Sequence, residues 1–119
     1  MAGNLYAIQP KQPASRRLPT VRIAPDKVAQ FRALARQKGL TPTAALAALV
    51  AAHADIRQPF GPRVRAQHGP DGMRYCAVLP DPKVSEEVAK SLIQDARAAG
   101  ISLGEAMRQL VDRCLEQSH

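Results

Sequence analysis

The chain has 119 residues, of which 45% are hydrophobic but only 3% aromatic, with no Trp and a formal net charge of +7. That length allows one domain or two very small ones, and a core of Ala, Val and Leu is thin enough to favour oligomerisation. The longest apolar run, Ala44 to Ala52, is too short to span a bilayer, and no signal-peptide pattern opens the chain.

The charge is unevenly placed. Residues 1–40 hold eight Lys or Arg against Asp26 alone, whereas residues 81–119 hold five bases and seven acids. A polyanionic partner is expected at the front of the chain and a mixed, solvated surface at the back. Cys76 and Cys114 make neither a CxxC pair nor a disulfide framework. Reduced core thiols in a cytoplasmic protein follow as the expectation.

Residues 1–17 read as a flexible basic arm carrying Lys11, Arg16 and Arg17. Leu18 to Ala24 then alternates Thr20, Arg22 and Ala24 with Val21 and Ile23, the two-residue period of a strand with one apolar face. A strand this short needs a mate. A two-stranded ribbon presenting Thr20 and Arg22 fits the DNA major groove, where such side chains read base edges.

Pro25 to Lys38 reads as a helix, with Val28, Phe31, Leu34 and Ala35 on one face and Gly39 as its stop. Thr41-Pro42 opens a second helix reaching about His53, almost without a polar face and therefore expected to be buried on most sides. A helix so poor in donors and acceptors could not itself read bases.

Residues 18–52 resemble the ribbon-helix-helix family of repressors in the alternating T-V-R-I strand, the apolar first helix, the Gly39-Leu40-Thr41 turn and the apolar second helix. The resemblance implies a dimer through strand 18–24 and helix 42–53 that reads duplex DNA with the strand. Carried over by position, Thr20 and Arg22 match base-contacting sites. Leu18 takes a third outward position that is often polar in the family. Thr41 and Thr43 match the turn that holds a phosphate at a helix N-terminus. Arg16, Arg17, Lys11 and Lys27 would add phosphate contacts.

Residues 54–62 read as a linker, followed over 63–119 by a second unit. Arg63–Gln67 and Met73–Leu79 suggest a β-hairpin about the turn at 68–72. Ser85 opens a helix with Val88, Ala89, Leu92 and Ala96 on one face. Gly100 stops it, and Ser102 with Glu105 forms a capping box before the stripe Leu103, Met107, Leu110, Val111 and Cys114.

A repeat runs at an offset of 61 residues: Phe31 falls on Leu92, Ala35 on Ala96, Gly39 on Gly100 and Thr41 on Ser102. Arg22 falls on Lys83, but Val21 falls on Pro82, so the second copy's strand is expected to be spoiled. The expected fold class is mostly α with short β, a ribbon-helix-helix unit followed by a hairpin and an αα-hairpin. Pairing of the two copies within one chain is the alternative to the homodimer.

No catalytic constellation, metal site or cofactor site is expected. His53, His68 and His119 are scattered, with His53 placed as a capping or interface residue. The expected function is sequence-specific binding of double-stranded DNA by a transcriptional repressor or plasmid-type regulator. The alternative is a protein-interaction module whose apolar helices hold a partner.

Overall fold

The computed structural model describes residues 15–64, 75 and 77–117. It is mostly helical, with short antiparallel strands, in the order β1 (Ser15–Arg17), β2 (Val21–Ile23), α1 (Pro25–Gln37), α2 (Pro42–Ile56), β3 (Ala77–Leu79), β4 (Lys83–Ser85), α3 (Glu86–Ala99) and α4 (Leu103–Gln117). Strand β1 pairs antiparallel with β4, and β2 with β3. The Leu18 N–H donates to the Pro82 carbonyl at 2.9 Å between these ladders, so both follow one register along a single ribbon. Pro19, Pro80 and Pro82 interrupt the ladder because proline has no N–H to give.

The register has a twofold character. Arg17 lies opposite Lys83, and Arg22 opposite Val78. At the repeat offset, Lys83 is the counterpart of Arg22 and Val78 that of Arg17. An axis between Pro19–Thr20 and Pro80–Asp81 would give this pairing. Burial follows the same rule: Leu18, Val21 and Ile23 are buried, and so are Leu79, Pro82 and Val84.

The helices repeat as closely as the strands. Gly39 and Gly100 take left-handed φ values of 72° and 70°. The next N–H reaches back into the helix in both copies, Leu40 to the Ala35 carbonyl at 2.9 Å and Ile101 to the Ala96 carbonyl at 3.0 Å. Any other L-residue at either glycine would be strained. Helices α1 and α2 bend by 88° across this turn. Helix α4 packs on β2 and α2 on β4, so each copy's second helix braces the other copy's strand. Phe31, Leu46, Leu92, Met107 and Val111 fill the shared core. Among the described residues no single helix is long and apolar enough to cross a membrane.

Several expectations are corrected by this arrangement. The mate of the first strand lies in the same chain, so the pairing expected across a homodimer is made within one molecule. Pro82 does not spoil the second strand: its ring fills a core position and its carbonyl accepts from Leu18. Strand β3 pairs with β2 rather than with residues 63–67; Arg63 and Val64 form no strand, and residues 65–74 lie outside the described residues. The basic arm ends earlier than expected, because Ser15–Arg17 form β1; Lys11 lies outside the described residues. Leu18, expected to point outward, is 1% exposed, since the chain changes face at Pro19–Thr20. Helix α2 runs to Ile56, shortening the linker. It buries only Leu46, Val50 and His53 fully and leaves Ala44, Ala48, Ala51 and Ala52 exposed.

Candidate nucleic-acid interface

The ribbon buries its apolar side and leaves Arg17, Thr20, Arg22, Val78 and Lys83 exposed on the other. Two helix N-termini flank this surface. Thr41 caps α2, its Oγ1 accepting from the Ala44 N–H at 3.1 Å, and Ser102 caps α4, its Oγ accepting from the Glu105 N–H at 3.1 Å. The positive ends of both helix dipoles therefore lie beside the basic strands.

A cavity opens at each flank. The first, of about 400 Å³, is lined by Arg17, Thr41, Thr43, Ala44, Asp81 and Lys83. The second, of about 740 Å³, includes Thr20, Arg22, Arg63, Tyr75, Ser102 and Glu105. These two are counterparts at the repeat offset: Lys83 answers Arg22, Asp81 answers Thr20, and Thr41 answers Ser102. Each joins a strand cation to a helix start, an arrangement suited to an anionic group such as a phosphate.

Both carboxylates near these cavities are held by arginine. Arg17 Nε lies 3.2 Å from Asp81 Oδ2. Glu105 accepts from Arg108 Nε at 2.9 Å and Nη2 at 2.6 Å, from the Val64 N–H at 3.0 Å and from Gln109 Nε2 at 3.2 Å. Burial pushes the Glu105 carboxyl upward, but Arg108, the Val64 N–H and Gln109 outweigh it and leave it below the usual range. Arg108, raised chiefly by Glu105, also bonds Asp112 and lies over the Tyr75 ring at 4.9 Å. The capping box is thus half formed: Ser102 caps Glu105, while the Glu105 side chain serves Arg108.

The expected site residues divide clearly. Thr20 and Arg22 share one cavity wall, and Arg17, Thr41 and Thr43 share the other. Arg16 Nη1 is engaged by Glu86 Oε1 at 3.3 Å. Lys27 is half-buried in the first turn of α1 and does not line either cavity. Lys83, Asp81, Ser102 and Arg63 were not singled out from sequence as part of this surface. The 61-residue offset carried the signal for the first three, since it places Arg22 on Lys83, Thr20 on Asp81 and Thr41 on Ser102.

A second polar cluster joins α2 to α3. His53, 4% exposed, places Nε2 2.7 Å from Asp95 Oδ2 and stacks on Phe60 at 4.7 Å. Arg57 binds both Asp95 oxygens, at 2.6 and 2.7 Å. Arg57 foremost, with His53 adding and burial opposing, holds the Asp95 carboxyl below its ordinary range. An ionised carboxylate only accepts, so His53 Nε2 carries the proton. The cluster also holds Arg57 at φ 56°, a strained backbone for a non-glycine residue. This is a structural joint: its groups satisfy one another. Burial raises the Cys114 thiol. No group of three or more His, Cys, Asp or Glu among the described residues could hold a metal ion. No family model, curated protein or solved structure matches the chain.

Proposed function

We infer that the protein binds double-stranded DNA sequence-specifically as a ribbon-helix-helix unit whose two copies are fused in one chain. The ribbon would enter the major groove, with Arg22, Lys83 and Thr20 toward base edges. The starts of α2 and α4, with Arg17 and Arg63, would hold the flanking phosphates. The observation that carries this reading is the pairing of one basic strand face with two capped helix N-termini, one on each side. Occupying an operator in this way would block transcription, the role of a repressor or plasmid-type regulator.

Selection of bound sequences from random duplex DNA tests the reading. A defined motif is expected, and its affinity should fall with salt at a log–log slope of about −4 if some four phosphates are neutralised. Arg22→Ala should reduce discrimination by about 1–3 kcal/mol while leaving the helical circular-dichroism signal intact. Unchanged operator affinity in that variant would refute the assignment.

One observation favours a second reading, a protein-interaction module. The exposed alanines of α2 end at Ile56, which is 73% exposed. That reading requires negligible binding to any duplex at physiological salt.

A further inference from the structure

The twofold register of the ribbon does not extend to its chemistry. At one end Arg17 and Lys83 lie directly opposite each other, with Asp81 3.2 Å from Arg17. At the other end Arg22 lies opposite Val78, which is 50% exposed. Two of the three counterpart pairs therefore differ in kind, Arg17 with Val78 and Thr20 with the half-buried Asp81, while Arg22 and Lys83 are both cations.

We propose that the DNA site is a single non-palindromic element read by one chain, G·C-rich at the Asp81–Lys83 end and carrying a guanine next to a thymine at the Arg22–Val78 end. This rests on the reading of the ribbon as a DNA-binding surface. Arg and Lys pair with guanine O6 and N7, Asp accepts from the cytosine amino group, and an apolar side chain meets the thymine methyl. The two ends lie five residues apart along the strand, about 17 Å at the usual strand rise. That distance matches about five base pairs of duplex. A homodimer presenting two identical strands would impose an inverted repeat on its site. A ribbon closed within one chain carries no such constraint, and here its two strands have different residues to offer.

Selection from random duplexes with the full chain should return one motif without dyad symmetry, bound at one chain per duplex in sedimentation analysis. Replacing the thymine beside the guanine with deoxyuridine removes only the methyl group. It should weaken wild-type binding about fourfold, the worth of one buried methyl, and should leave Val78→Gly, which has no side chain to meet that methyl, unaffected. A triple variant, Val78→Arg, Asp81→Thr and Lys83→Arg, makes the exposed positions of the two strands alike and should turn the selected motif into an inverted repeat. A palindromic wild-type motif, or equal response of wild type and Val78→Gly to deoxyuridine, overturns the asymmetry while leaving DNA binding in place. Failure to enrich any duplex overturns both. The deoxyuridine test on the wild type needs no variant, so it stands even if the triple variant does not fold.

Discussion

The two second helices share a frame and differ in what covers them. Where α2 carries Ala44, Ala47, Ala48 and Ala51, α4 carries Glu105, Arg108, Gln109 and Asp112 at the repeat offset. The face of α4 is roofed by the segment leading out of α2. Gly61 donates its N–H to Gln109 Oε1 at 2.9 Å and accepts from Gln109 Nε2 at 3.0 Å. Val64 donates to Glu105, and the Pro59 carbonyl accepts from Arg113 Nη2 at 2.6 Å. The same face of α2 leaves three of its four alanines exposed. A repeated strand–helix–helix frame thus tolerates two unlike surfaces, provided that the polar one is fully bonded. No buried side-chain nitrogen or oxygen among the described residues lacks a partner.

Removing the key cation of α4 should break this comparison most sharply. Arg108 and Glu105 have side chains only 5% and 9% exposed. Arg108→Met would leave the Glu105 carboxylate without its main partner and Tyr75 without its cation. Loss of one member of an enclosed pair costs about 3–5 kcal/mol. The low end, about 3 kcal/mol, is expected because Glu105 borders an open cavity. Urea unfolding should show it as a lower midpoint in one transition. Two separated transitions would instead mean that the copies unfold independently, contrary to a core shared between them.

Acid should act through two carboxylates of the second copy, Asp95 where α3 meets α2 and Glu105 under the roof of α4. Asp95 and Glu105 are both held below their ordinary values of 3.8 and 4.5. A carboxyl depressed in the folded state contributes stability that is present above its unfolded value and lost as pH falls through the folded one. Stability should therefore be level near neutrality and decline below about pH 4. Asp95→Asn and Glu105→Gln should each cost stability at pH 7 and flatten the decline. Chemical denaturation across this range checks the sign; stability rising on acidification would contradict it.

The helices, their glycine stops and their caps were legible in the sequence because each depends on local chemistry. Gly39 and Gly100, Thr41 and Ser102, and the outward Thr20 and Arg22 all stand where their spacing placed them. Strand β3, the mate of β2, lies within the stretch Met73–Leu79 that reads as a strand, but β4, the mate of β1, was hidden by Pro82, whose presence argued against a strand there. Proline was tolerated because that position needs an apolar ring and a carbonyl, and its missing N–H falls at an interruption of the ladder. The roof over α4 was not legible either. Gln109, Glu105 and Arg108 look like an ordinary solvated helix face until the Pro59–Val64 segment is folded against them. His53 likewise gave no sign of Asp95, 42 residues away.

The smallest expected effect concerns the starts of the two first helices, where the copies part. Ser85 caps α3, its Oγ accepting from the Val88 N–H at 3.3 Å. Its counterpart Ala24 has the same extended backbone, φ −64° and ψ 143° against −66° and 157°, but no side-chain cap for α1. Ser85→Ala should cost about 1 kcal/mol, the usual worth of an N-cap. Ala24→Ser should return a few tenths of a kcal/mol at most. Pro25 already supplies the first helical residue, and a hydroxyl at a site 6% exposed must be desolvated to reach the Lys27 or Val28 N–H. Unequal shifts of the thermal midpoint in opposite directions would show that the two starts have equivalent backbones and differ only in the cap. A loss of stability in Ala24→Ser would mean that the packing around Ala24 leaves no room for the extra oxygen, and that the repeat diverges there in shape as well as in chemistry.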